Sequence, residues 1–153
     1  IYRDEILIDS STPANVTSFV DNDVQEGRSY NYCVSAYNNG GESSGLCIDV
    51  SIPISIPAAP SKMSAKAYAD GVMLTWQDNA DNEKGFRLYR DGKLLQTLAA
   101  DSVEYLDTTT QENRHYIYEL EAFNDGGESQ RVKTEITTPL RISVLFSGVD
   151  HAL

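Results

Sequence analysis

The chain repeats itself, and the length of the repeat restricts the fold more than any other feature. Tyr30-Asn31-Tyr32-Cys33-Val34-Ser35-Ala36-Tyr37-Asn38 aligns with Tyr116-Ile117-Tyr118-Glu119-Leu120-Glu121-Ala122-Phe123-Asn124. The match runs on through Asn39-Gly40-Gly41-Glu42-Ser43 against Asp125-Gly126-Gly127-Glu128-Ser129, and ends with Pro53 on Pro139. One inserted residue earlier, Ile1-Tyr2-Arg3-Asp4 falls on Leu88-Tyr89-Arg90-Asp91. A period of about 86 residues is longer than solenoid repeats and fits whole domains in tandem.

Within the second copy, apolar residues alternate with polar ones, the signature of half-buried strands. Met63, Ala65 and Ala67, then Val72, Leu74 and Trp76, predict two strands around the Ala69-Asp70-Gly71 turn. The polar run from Asp78 to Glu83 reads as a loop. Phe86 and Leu88 open the next strand, and Asp91-Gly92 is a dipeptide suited to a two-residue hairpin because it accepts positive φ. A short strand is expected from Val103 to Leu106. A long one presents Tyr116, Tyr118, Leu120 and Ala122 on one face, with Val132, Thr134 and Ile136 on its hairpin partner. Seven short antiparallel strands of this kind call for two sheets packed face to face, an all-β chain with almost no helix.

The segment Tyr-x-Tyr-x-Leu-x-Ala at Tyr116 to Ala122, followed by the Gly-Gly-Glu-Ser turn and repeated with Val34 at Tyr30 to Ser43, resembles the last hairpin of fibronectin type III domains. Val72-Met73-Leu74-Thr75-Trp76 with Gly85-Phe86-Arg87-Leu88-Tyr89-Arg90 is similar to that family's second and third strands, in a form common in secreted bacterial proteins. The resemblance implies tandem immunoglobulin-like antiparallel sandwiches. It makes Trp76 the core tryptophan, and Tyr30 and Tyr116 the corner tyrosines whose hydroxyls bond back to the preceding loop. Residues 1–53 correspond to the C-terminal half of one domain, 54–60 to a Pro-rich linker, 61–139 to a complete domain, and 140–153 to the start of a further domain or a C-terminal strand. The first copy lacks its N-terminal strands. Its apolar face, including Tyr32, Val34, Leu46 and Ile48, is therefore expected to be open to water unless the strands lie in a missing upstream piece or come from another chain.

Cys33 and Cys47 flank the first Gly-Gly turn. Tyr32 and Val34 take the inward phase of one strand, Leu46 and Ile48 that of its partner, so both cysteines point outward and stand nearly opposite each other. A disulfide is expected, with two free thiols in a reducing cytosol as the alternative. The second copy has Glu119 and Lys133 at these positions, opposite charges that suit a cross-strand pair. A persistent disulfide places the chain in an oxidising compartment, extracellular, secreted or at the cell surface.

The net charge of -11 repels phosphate backbones and anionic membranes, so neither nucleic acid nor membrane insertion is expected. No nucleophile elbow, metal-spaced histidine pair or phosphate-binding glycine loop occurs, and no enzymatic activity or cofactor is expected. Asp21 and Asp23, and Asp78 and Asp81, offer hard oxygens to Ca²⁺ in loops, but neither pair fits a twelve-residue calcium loop and such residues also close turns. The expected role is a non-catalytic spacer within a larger protein, its partners being other domains of the parent chain or another protein. The alternative is an adhesion module that binds a glycan, a surface polymer or a neighbouring subunit through Tyr37, Phe123 and Tyr89.

Overall fold

Every second side chain along a strand faces the same way, and both units of the chain are built on that rule. The structure, a computed structural model, describes residues 1–140, and these contain strands, turns and loops with no helix. Of the segment expected to begin a further domain, only Leu140 is described, exposed and outside any strand; the rest lies outside the described residues. Two compact units divide between Ser55 and Ile56.

The first unit contains β1 (Tyr2–Arg3), β2 (Ile6–Leu7), β3 (Ser29–Val34), β4 (Tyr37–Asn38), β5 (Gly41–Glu42) and β6 (Leu46–Ser51). Four of them form one antiparallel sheet in the order β2-β1-β3-β6, and β4 pairs with β5 at the hairpin tip. The long strand expected from Tyr30 to Asn38 is interrupted between Val34 and Tyr37. Ala36 donates its N–H to the Ser43 hydroxyl there and its carbonyl accepts from the Ser43 N–H.

The second unit contains β7 (Ser61–Tyr68), β8 (Gly71–Gln77), β9 (Gly85–Arg90), β10 (Lys93–Ala99), β11 (Glu104–Asp107), β12 (His115–Asn124), β13 (Gly127–Glu128) and β14 (Val132–Thr137). One sheet has the order β11-β8-β7; the other runs β10-β9-β12, with β13 and β14 both pairing with β12. Between them Val72, Leu74, Trp76, Phe86, Leu88, Tyr116, Tyr118, Leu120 and Ala122 form the core. Burying each large member contributes about 1.5 to 3 kcal/mol. Asp91 and Gly92 have φ of 51° and 76° and link Arg90 to its partner Lys93, the two-residue turn whose twist matches the strands. At Gly71, where β8 begins beside β11, a Cβ would stand 2.3 Å from the Asp107 carbonyl oxygen, so the close approach requires glycine.

The two units share their pairing register. Tyr2 faces Cys33 and Arg3 faces Tyr32, as Tyr89 faces Glu119 and Arg90 faces Tyr118. Residues 54–60, expected as linker, are partly tied down. The Ser55 hydroxyl and N–H donate to Glu26 at 2.6 and 3.0 Å, and Pro57 and Pro60 are buried.

Candidate functional site

Each unit closes one end with the same arginine, aspartate and tyrosine. In the second, Asp107 is fully buried at the end of β11. Arg90 Nη1 and the Tyr118 hydroxyl donate to its Oδ2 at 2.6 and 2.8 Å, and the Thr109 N–H and hydroxyl donate to Oδ1 at 2.9 and 2.7 Å. Burial alone would raise the Asp107 carboxyl, but the bonds from Thr109, Tyr118 and Arg90 outweigh it and hold it below the usual carboxylate range. Tyr118 is pushed up, first by burial and then by the carboxylate it donates to.

In the first unit, Arg3 Nη1 and the Tyr32 hydroxyl donate to Asp21 Oδ2 at 2.8 and 2.7 Å, and the Asp23 N–H donates to Oδ1 at 2.9 Å. The Asp23 N–H and the two donors together hold Asp21 low against the opposing effect of burial. Beside each cluster stands the corner tyrosine. The Gln25 N–H donates to the Tyr30 hydroxyl at 2.9 Å and the Gln111 N–H to the Tyr116 hydroxyl at 2.8 Å, with Arg3 and Arg90 over the respective rings.

These contacts change the reading of Asp21 as a calcium ligand: its oxygens already accept from an arginine, a tyrosine and a backbone N–H, while Asp23 is exposed. Asp78, of the second pair of candidates, lies with Glu83 and Asp101, one carboxylate oxygen of each within 4.8 Å of the others, and Asp81 is not a member of that group. Three such oxygens could contribute to a divalent-cation shell. Two of the residues also close loops: Asp78 accepts from the Ala80 N–H and Glu83 from the Asp101 N–H.

The three aromatic contact candidates separate. Tyr37 is 69% exposed, its hydroxyl donating to the Ser10 carbonyl at 2.8 Å. Tyr89 and Phe123 are only half exposed, because arginines lie across them. Arg131 sits 3.8 Å from the Tyr89 ring centre and Arg87 4.3 Å from that of Phe123. Buried Glu121 ties this surface together, accepting from the Tyr89 hydroxyl at 2.7 Å and Arg131 Nε at 2.6 Å, while Arg87 bonds Glu128 at 2.7 Å. Trp76 is buried in the core, its ring 5.9 Å from that of Phe86, and its Nε1 has no hydrogen-bond partner among the described residues.

Cys33 and Cys47 are directly paired in the β3–β6 register and joined by a disulfide, with Cα atoms 4.0 Å apart. Glu119 and Lys133 pair in the same way between β12 and β14. The Arg–Asp–Tyr cluster was not singled out in the sequence. Its signal was the repeat itself, which places Arg3 on Arg90, Asp21 on Asp107 and Tyr32 on Tyr118.

No protein-family model matches the chain, and no curated protein matches it. Solved structures do. A structure described as "FN3tt mut" is similar over 56% of this chain and 100% of its own, at 25% identity and a TM-score of 0.50. The FN1–FN3 domains of chicken CNTN1 cover 78% of this chain and 44% of theirs, at 16% identity and a TM-score of 0.52. The spore cortex lytic enzyme SleM of Clostridium perfringens is similar over 67% of this chain and 36% of its own, at 16% identity and a TM-score of 0.50. The fold is fibronectin type III-like, an all-β, immunoglobulin-like arrangement of antiparallel sheets.

Proposed function

We propose that this chain is a non-catalytic spacer within a larger secreted or surface protein, working outside the cell. A fibronectin type III-like fold is that of a structural or binding module. The observation that carries the spacer reading is the outer surface of β9 and β12. Tyr89, Phe123, Arg87, Arg131 and Glu121, the side chains best suited to hold a ligand, are engaged with one another. Their chemistry stiffens the module and leaves little to recognise a partner. The Cys33–Cys47 disulfide supports an oxidising compartment, and the net charge of -11 supports solubility while disfavouring nucleic acid.

Tyr37, whose ring is the most open of the three aromatic candidates, favours the second reading, adhesion to a glycan or surface polymer. Electrophoresis through gels containing soluble polysaccharides separates the two. The spacer migrates with unchanged mobility. Retardation that disappears in Tyr37→Ala would establish binding and overturn the spacer reading.

A further inference from the structure

The first unit carries an apolar groove of about 1750 Å³, lined in part by Phe19, Tyr32, Val34, Leu46, Ile48 and Val50. Val34 is 52% exposed, Leu46 76% and Ile48 65%. Leu120, which aligns with Val34, is 0% exposed, because β8 and β7 form the opposing sheet of the second unit. An apolar face of this kind on a soluble domain marks a place where something docks.

Beside the groove, residues 18–21 align with β11: Phe19-Val20-Asp21 falls on Tyr105-Leu106-Asp107. Asp21 takes the same arginine and tyrosine bonds as Asp107, so the segment ends where β11 ends. Yet β11 is a strand, paired antiparallel with β8 from Glu104↔Thr75 to Asp107↔Val72, whereas residues 18–21 form no strand. What differs is the neighbour and not the sequence pattern. A strand forms at such a place when a partner supplies the other half of the ladder.

We propose that the groove and residues 18–21 form an acceptor site for a two-stranded antiparallel hairpin of the β7–β8 pattern. Its inner strand pairs with residues 18–21 while alternate apolar side chains cover Tyr32, Val34 and Ile48. In the register of the second unit, the residue equivalent to Val72 stands opposite Asp21, and that equivalent to Leu74 opposite Phe19. Charge agrees with this occupant. Residues 1–55 hold eight acidic and two basic residues, a net -6, whereas residues 61–77 hold two lysines and one aspartate. A second copy of the first unit would bring two strongly acidic surfaces together, which disfavours it as the occupant.

The test is amide hydrogen exchange of the full chain titrated with a peptide of its own residues 61–77. The same measurement follows on a chain carrying a second copy of residues 61–87 ahead of Ile1, which removes the concentration limit on a weak peptide. The expected result is exchange slowed at least about tenfold in residues 18–21, β3 and β6, in one or both experiments. The gain should be lost in the extended chain when Val34→Asp or Ile48→Asp is introduced, or when serines replace the added valine and leucine equivalent to Val72 and Leu74. Unchanged exchange at residues 18–21 in both experiments would overturn the proposal. So would doubled mass of the unextended chain at micromolar concentration with those amides already protected, since the occupant would then be a second copy.

Discussion

Asp107 shows how one buried carboxylate orders the end of a sandwich. Its two oxygens take four hydrogen bonds, and a fifth contact joins Arg90 to Thr109 at 2.8 Å, so removing the carboxylate would leave donors from three residues unmatched. Because these bonds lower its folded pKa, the stability they contribute is present above the ordinary carboxylate range, near pH 4, and is lost as the pH falls through the depressed folded value. Urea unfolding followed by Trp76 fluorescence should therefore be nearly flat from pH 8 to about 5 and decline below about 4. Asp107→Ala should lower stability at neutral pH by about 3 kcal/mol and make the acid decline shallower. A full-strength acid decline in the variant would show that other carboxylates control it. The sequence holds 23 acidic residues, and nothing local distinguishes Asp107 or Asp21 among them. The distinction comes from convergence in space of residues as far apart in the chain as Arg90 and Tyr118, which strand alternation alone does not report.

The hairpin elements carry a natural comparison between two turns. Asp91-Gly92 and Asp4-Glu5 both have two positive φ angles, 51° and 76° in the first case and 50° and 67° in the second. Glycine takes such a conformation without penalty, while a residue with a Cβ is disfavoured there by about 1 to 2 kcal/mol. Glu5→Gly should thus raise the stability of the first unit by about 1 kcal/mol, and Gly92→Ala should lower that of the second by a similar amount. Urea midpoints from far-UV circular dichroism would check both, and a destabilising Glu5→Gly would mean that the Glu5 side chain matters more than its backbone. Strands with a clear alternating face were legible in the sequence: β7, β8, β12 and β14 lie where their apolar residues predicted. The strand expected at Val103 to Leu106 is β11, Glu104–Asp107, one residue later at each end, although the Val103 carbonyl still accepts from the Trp76 N–H of the neighbouring strand. The state of residues 18–21 was not legible, since a strand depends on its neighbour as much as on its own pattern.

At the scale of the whole molecule, the repeat of about 86 residues, the length of a whole domain, made two units legible in the sequence. It could not show that Tyr89 and Phe123 would be covered, because the covering arginines are fixed by cross-strand register and not by spacing along the chain. The division also yields a test in which the units answer separately. The single tryptophan, Trp76, lies in the second unit, and the single disulfide lies in the first. Cys33 and Cys47 are separated by 14 positions, and closing a loop of that size contributes about 3 kcal/mol by restricting the unfolded chain. Reduction should therefore shift the unfolding of the first unit, followed by circular dichroism, to lower urea by an amount of that order, and leave the transition reported by Trp76 fluorescence in place. The shift should also occur in Cys33→Ser/Cys47→Ser without reductant, which separates loss of the bond from any effect of the reducing agent. If fluorescence and circular dichroism move together on reduction, the two units unfold as one body and the tandem description of their energetics fails.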